Sequence, residues 1–241
     1  MQIKNAPKQT LTTRDLTLSS GLAAVFIVST FFPLTAFIGG AAFITLEIVV
    51  VPLIAAFLRP VPATIAIFAG ALGMAAFQNG LYPVFGFFGL LVPAIAAILG
   101  SMSFHYRWGP LLPWAYVLGG SAYYILFSRG GTLLWLAPYI LVIISLPVML
   151  RASGKTGIAL LALYTAMTEQ VTMNVLSIGL LGLVDGVWTL ITPFMFVERT
   201  VAVISSTVLI VALKSRLGGT IPLGLRLTGG GEVKVCVSHQ L

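Results

Sequence analysis

The residues able to do chemistry in this chain are few, and most lie inside apolar stretches. Six acidic residues stand beside thirteen basic ones in 241 positions. Glu47, Glu169 and the adjacent pair Glu198 and Arg199 fall within long apolar runs, and Asp185 sits at the end of one. An ionised side chain in hydrocarbon costs roughly 2.5–3.5 kcal/mol on insertion scales, so each needs a partner or a use. The surroundings of Glu169 are the most informative. Thr165, Thr168, Glu169 and Thr172 recur at i, i+3, i+4 and i+7, and Gln170, Asn174 and Ser177 repeat the spacing beside them. On a helix these two stripes merge into one broad polar face. Such a face must meet protein or water rather than lipid. It is either the wall of a solute-binding cavity or a hydrogen-bonded seam between helices, and the carboxylate at its centre favours the cavity. Neighbouring residues on a helix point about 100° apart, so Glu198 does not face Arg199. Arg199 needs a partner from another segment, and Glu169 or Asp185 could supply it. The pair would either lock two helices or clamp a substrate. Glu47 lies among Phe43, Ile44, Val50 and Val51 without a polar stripe. It could be protonated, pair with Arg199, or face a cationic solute. The expected site is therefore Glu169, Asn174, Asp185, Glu198 and Arg199 around an outward-facing cavity.

Other chemistries find no foothold. Cys236 is the one cysteine, so no internal disulfide can form. Of the two histidines, His105 and His239, the second lies in the polar tail, so a bis-histidine haem within a membrane lacks a ligand. Cys236 and His239 are three apart, but two candidate ligands make a weak zinc signal. No metal and no cofactor are expected. Gly154-Lys155-Thr156 lacks the upstream glycine of a phosphate-binding loop. No serine–histidine pair falls at membrane depth, and no pair of glutamates resembles an intramembrane protease. The chain is therefore expected not to be an enzyme, and any ATP would be hydrolysed by another protein. The net charge of +7 does not imply nucleic acid, because the basic residues sit in short loops between apolar runs.

The elements that must position these residues follow from composition. Apolar residues make up 59% and charged residues 8%, against about 25% charged in typical soluble chains. The mean hydropathy is +1.07. Lipid is the solvent such a surface calls for. Only helices or a closed barrel satisfy the backbone there. The runs are long and apolar on all sides, without the alternation of a barrel strand. The expectation is an all-α polytopic transmembrane bundle of about eight helices. Punctuation places them at about 16–33, 35–58, 61–79, 82–104, 110–128, 132–150, 156–182 and 188–213. The first is taken as a retained helix rather than a signal peptide, because further apolar segments follow. Polar residues 1–15 precede this helical domain, 16–216. A Gly-rich tail, 217–241, follows it.

Charge counting orients the bundle. With the N-terminus inside, the inner loops and tails hold Lys4, Lys8, Arg14, Arg59, Arg107, Arg151, Lys155, Lys214, Arg216, Arg226 and Lys234, and the outer loops hold only Arg129. This bias supports a multi-pass protein of the cell membrane with both termini in the cytoplasm. It requires an even number of spans, so six spans plus a re-entrant hairpin also fit. Tyr82, Trp108, Trp114, Tyr116, Tyr123, Tyr124, Trp135, Tyr139 and Trp188 read mainly as an interfacial belt. Trp188, near Asp185, is the best of them for stacking on a ligand. In the first segment Ser19 with Ala23, and Ser20 with Ala24, form small pairs beside Gly21 that allow close helix approach, either within the chain or by another subunit.

Three stretches resemble the substrate-binding (S) components of energy-coupling factor transporters. One is Leu11-Thr12-Thr13-Arg14-Asp15, leading into the helix with Ser20 and Ala24. The second runs from Val51 to Pro60 and into the small-residue helix with Gly70 and Gly73. The third runs from Ile191 to Arg199 and on to a helix ending at Lys214-Ser215-Arg216. The resemblance implies a small vitamin-like or metal-related solute bound near the outer face and released by toppling of the whole subunit. It implies docking through Ser20 and Ala24 to a coupling membrane subunit, with partner ATPases supplying energy. Such components typically have six helices, so segments five and six, about 110–150, are additional. Two other readings of the composition are an accessory subunit of a larger membrane complex and an autonomous secondary carrier with Glu47 or Glu169 as proton relay.

The orientation is directly testable. In a Cys236→Ser background, a membrane-impermeant maleimide applied to intact cells should label Thr132→Cys and spare Trp108→Cys until the cells are opened. The reverse pattern, or equal labelling, would overturn the assignment.

Overall fold

The computed structural model describes residues 11–34, 45–128, 133–183 and 185–217. The tails carrying Lys4, Lys8, Arg226, Lys234, Cys236 and His239, the first part of the expected second segment and Arg129 lie outside the described residues, as does the side chain of Asp185. Eight α-helices of eleven residues or more make up the described chain: α1 (Thr13–Ser29), α2 (Glu47–Phe57), α3 (Pro60–Ala76), α4 (Leu91–His105), α5 (Leu111–Phe127), α6 (Ala137–Met149), α7 (Gly154–Leu176) and α8 (Asp185–Leu217). Short helical turns at Tyr82–Phe85, Gly86–Leu90 and Leu133–Leu136 lead into α4 and α6. Among the described residues there is no strand, only an isolated bridge between Pro33 and Thr45.

Local chemistry sets the helix ends. The Thr12–Asp15 motif is a reciprocal cap: the Asp15 amide donates to Thr12 Oγ1 at 3.2 Å, and the Thr12 amide donates to the Asp15 carboxylate at 3.1 Å. This satisfies two otherwise orphaned donors at the start of α1. The Thr12 amide holds the Asp15 carboxyl below the usual carboxylate range. Arg59 is extended ahead of Pro60, which stops α2 and opens α3 in a few residues. Gly154 and Gly182 have φ of +62° and +58°, a region glycine enters freely, and they bound α7 and its single π-turn at Ser177–Leu181.

Helix α7 is the hub, packed against α2, α4, α5, α6 and α8. Its closest partnership is with α4. There Gly100 admits Thr165 from α7 and Ala55 from α2: a Cβ at Gly100 would lie 2.6 Å from Thr165 Oγ1 and 3.0 Å from Ala55 Cβ. Helix α2 is buried over every residue from Glu47 to Ala56. Glu47 thus opens α2 at its first turn and does not sit in the middle of a helix, as the run of apolar neighbours suggested. Helix α1 packs on α3, where Phe26 and Ile27 fill the space over Gly70 and Gly73. Ser19 and Ala23 face this contact, and Ser19 donates to the Pro62 carbonyl at 3.1 Å. The second small pair, Ser20 and Ala24, is exposed together with Gly21.

The outside of the molecule is apolar. Val28, Leu72, Phe87, Leu126, Ile144, Leu190 and Val208 are all exposed, Leu126 to 74%. Among the described residues two helical stretches are long and apolar enough to cross a membrane, Tyr82–His105 with 24 residues and Val187–Arg216 with 30. Helices α2, α3 and α5 are apolar but shorter, as is Leu133–Met149. The two ends of the molecule differ. Arg107 and Arg151 line one cavity of about 780 Å³ with His105 and Trp108. Arg59 acts electrostatically on both His105 and Asp15, so these basic residues share one end. Thr30, Thr45, Gln78, Asn79 and Gly80 gather elsewhere around a smaller cavity.

The aromatic belt expectation is corrected for several residues. Trp135, Tyr139, Tyr124 and Trp188 are each at most 2% exposed. Trp188 packs edge-on to Tyr124 and Trp135 at centroid distances of 5.2 and 5.1 Å. A position near a segment end implied an interface; the packing of α5, α6 and α8 around α7 encloses the rings instead. Trp108 stays exposed, with the Arg107 guanidinium 5.3 Å from its ring.

The tight α2–α4–α7 junction makes a paired prediction. Gly100→Ala should destabilise the purified protein by about 1–3 kcal/mol, the usual cost of overpacking. Gly119→Ala, with nothing within 4 Å of the new methyl, should leave thermal unfolding within a degree of wild type. Equal melting temperatures for the two variants would refute this packing.

Candidate functional site

The polar face of α7 is real, but most of it is satisfied at home. Thr165, Thr168 and Thr172 donate to the carbonyls of Leu161, Tyr164 and Thr168 at 2.8–2.9 Å. This back-bonding is the common way for a helix to hide hydroxyls. Tyr116 adds a bond to Thr172 at 3.0 Å from α5. The residues left for other work are Glu169, Gln170 and Asn174.

Asn174 belongs to the aromatic cluster. With its amide placed so that both ends are satisfied, Oδ1 accepts from the Tyr139 hydroxyl at 2.6 Å and from the Trp135 indole at 2.9 Å, and Nδ2 donates to the Gln170 carbonyl at 3.3 Å. It fastens α6 and its lead-in to α7. A polar anchor in a ring of aromatics is a structural clamp that needs every partner.

Glu169 belongs to a charge cluster. Its Oε2 lies 3.2 Å from Arg199 Nη1, and the two side chains are 0% and 3% exposed. Arg199 Nη1 also donates to the Ala166 carbonyl at 3.2 Å, and Nη2 to Met173 Sδ at 3.6 Å. The partner that spacing demanded for Arg199 is thus Glu169, across the α7–α8 contact. Glu198, one residue earlier on α8, is 2% exposed and feels both Arg199 and Glu169 electrostatically. Glu47 from α2, 1% exposed, feels the same two groups. Glu169 is therefore the direct partner of Arg199, and Glu198 and Glu47 lie within its electrostatic reach. Several atoms have no partner: both oxygens of Glu47, Oε1 of Glu169, Oε1 of Glu198 and Nε of Arg199. Buried polar atoms are ordinarily paired, so a concentration of unpaired ones calls for water, protons or another group to complete it. Three carboxyls in the field of one cation leave an excess of acid groups in a low-dielectric interior, which protons or a bound cation can offset.

The structure thus brings Glu169, Glu198 and Arg199 together and assigns Asn174 to an adjacent anchor. Asp185 begins α8, but its side chain is outside the described residues. Glu47 was not among the expected site residues. Its signal was present: a lone carboxyl in an apolar run has to meet the polar centre of the molecule somewhere. Among the described residues no three of His, Cys, Asp and Glu converge as a metal ion would require.

Set against protein-family models, curated proteins and solved structures, the chain has no match in any of the three comparisons.

The ion pair generates a double-mutant prediction. Arg199→Met alone should cost about 3–5 kcal/mol, because it strands buried carboxyls. Adding Glu169→Gln should recover a good part of that loss in thermal unfolding. Strict additivity would mean that the two side chains do not depend on each other.

Proposed function

We propose that this chain is a multi-pass protein of the cell membrane that captures a small solute and passes it across the bilayer, with partner membrane subunits and ATPases. The observation that carries the reading is the buried cluster of Glu47, Glu169, Glu198 and Arg199, with unpaired atoms on each of its members. Ionisable groups of this kind inside a membrane helix bundle are costly and are ordinarily kept for solute or ion pathways.

Four further features support it. The exterior carries large apolar side chains such as Leu126 and Leu190, where lipid would replace water as solvent. Arg59, Arg107 and Arg151 gather at one end, which is the cytoplasmic end by the positive-inside rule. Short helices such as α2 complete the bundle while wrapped by protein, and with α7 they hold the cluster away from lipid. Ser20, Gly21 and Ala24 present a smooth exposed face on α1 against which another membrane helix can close. This is the surface that the resemblance to energy-coupling factor S components assigns to docking. The chain offers no phosphate-binding loop, so ATP-driven uptake needs separate ATPases.

A second reading, an autonomous carrier, draws on the excess of carboxyls over cations in the cluster, since such groups can carry protons. Uptake by this chain alone in proteoliposomes under a pH gradient would favour it. An accessory subunit is less well supported, because Arg199 and Asn174 find their main partners within this chain.

Native mass spectrometry of the chain, gently extracted from its own membrane, tests the proposal. A small molecule should accompany wild type, with or without ATPase subunits. Glu169→Gln should lower its occupancy at least about tenfold, the loss expected for a charged hydrogen bond, while the variant elutes as a folded species. Undiminished occupancy in Glu169→Gln removes Glu169 from the site. A fixed set of large subunits and no ligand would make this a structural subunit.

A further inference from the structure

The ends of α4 and α6 and the starts of α5 and α7 meet around the cavity of about 780 Å³ at the basic end of the molecule. Its lining includes Arg107, from the α4–α5 loop, and Arg151, from the α6–α7 loop, and both are exposed. Arg59, from the α2–α3 loop, acts electrostatically on His105 in the cavity wall. Three loops at one end of the bundle thus each bring one guanidinium to the same place. Among the described residues no acidic side chain lines the cavity, and neither Arg107 nor Arg151 has a carboxylate within ion-pair distance. Arg59 also acts on Asp15, so Arg107 and Arg151 are the two left without an acid. A second hollow of about 460 Å³ shares Arg151 with the first and adds the hydroxyl residues Ser153 and Thr156.

The loop that carries Arg107 is held in place. Ser103 Oγ donates to the Gly109 carbonyl at 3.2 Å, and Gly109 lies so close to the Met102 carbonyl that no Cβ would fit. His105 Nδ1 donates to the Ser101 carbonyl at 2.9 Å, which fixes its ring in the wall. A site built in advance loses less entropy on binding. Two guanidiniums beside an open cavity match an oxyanion, and phosphate can accept paired N–H groups from arginine. The remaining wall is largely apolar, with Phe104, Trp108, Leu150 and Leu161. Exposed Leu112 on α5 and exposed Ile144 and Val148 on α6 continue that surface along the outside of the bundle. A soluble phosphate would cover none of it, whereas a lipid can set its phosphate at the arginines and its acyl chains along α5 and α6. A zwitterionic choline headgroup fits less well. The Arg107 guanidinium already stands 5.3 Å from the Trp108 ring, where a quaternary ammonium would otherwise stack, and its charge repels another cation.

We propose that Arg107 and Arg151, with Arg59 behind them, bind the phosphate of an anionic membrane phospholipid whose acyl chains lie along α5 and α6. Basic hollows between the cytoplasmic ends of membrane helices are a recurrent seat for such headgroups. The proposal rests on the membrane reading above and is independent of any transported solute. A phosphate held by both arginines ties the α4–α5 loop to the α6–α7 loop.

The test uses the full chain in an uncharged maltoside detergent, titrated with dioleoylphosphatidylglycerol, dioleoylphosphatidylcholine or glycerol phosphate. Binding is read by native mass spectrometry and by the ligand-induced rise in melting temperature. Phosphatidylglycerol should bind at least about tenfold more tightly than phosphatidylcholine, given several basic residues at one headgroup. Arg107→Gln and Arg151→Gln should each weaken it about fivefold, the range for one basic residue near anionic lipid. Both variants should melt as wild type without lipid, since the replaced side chains are exposed. Lys214→Gln and Arg216→Gln change basic residues in the last turn of α8 that do not line the cavity. They should leave the affinity unchanged. Equal affinity for the two lipids, or equal losses in Arg151→Gln and Lys214→Gln, overturns the proposal, because the attraction is then diffuse. Glycerol phosphate binding as tightly as phosphatidylglycerol overturns the lipid as ligand in favour of a soluble phosphate ester. A chain that stays folded and monodisperse without detergent overturns the membrane reading and this proposal together. A chain that needs detergent and shows no lipid preference overturns this site alone.

Discussion

Arg199 is the constraint around which the interior is arranged. A guanidinium that is 3% exposed has five N–H donors and almost no water to take them, so acceptors must be brought to it. Glu169, the Ala166 carbonyl and Met173 Sδ all come from α7. This forces α8 alongside α7 in a single register, since a slip of one residue would swing the side chain by about 100°. A buried ion pair of this kind is weak evidence of stability in its own right, because desolvation offsets much of the attraction. Its clearer consequence is specificity of arrangement: few packings of these helices leave Arg199 with any partner.

The rest of the interior follows from the same demand. Helix α7 has to be polar along one face to supply Glu169, and that face must then be covered on every side. Five helices cover it. The threonines fold their hydroxyls back onto their own helix, and Asn174 ties the aromatic cluster of Tyr139 and Trp135 onto the next turn. Gly100 lets α4 come close enough to close the remaining side. What stays unsatisfied includes Oε1 of Glu169 and the α2 and α8 flank, where Glu47 and Glu198 add two more carboxyls to a centre with one cation.

This polarity is inverted relative to a water-soluble globule. Large apolar side chains cover the outside while charge is sequestered within. On the proposed membrane reading the inversion is the expected one, with lipid as outer solvent. The two ends then carry different tasks. One collects Arg59, Arg107 and Arg151 and fixes orientation. The other gathers Thr30, Thr45, Gln78 and Asn79 around a small cavity with no basic side chain among its lining residues.

Much of this was legible in the order of residues. Apolar runs broken by Arg59-Pro60, Asn79-Gly80 and Ser153-Gly154 place the helices, because proline and glycine punctuation acts locally. The polar face of α7 and the need of Arg199 for a partner on another segment also follow from periodicity and from the cost of buried charge. Helix spacing told Ser19 from Ser20, but not which of the two rows would be covered; the bulk of Phe26 and Ile27 over Gly70 and Gly73 turned the Ser19–Ala23 row inward. The aromatic residues near segment ends looked interfacial, and the enclosure of Trp135 and Trp188 depended on how α5, α6 and α8 wrap α7. Glu47 was the largest gap. Its position in the chain, about 120 residues from Glu169, says nothing of their proximity. Only the packing of α2 against both α7 and α8 brings it to the charge centre. Periodicity determines which face of a helix is polar, because it is a property of one helix. Which carboxyls share one arginine is decided by several helices at once, and that belongs to the tertiary structure alone.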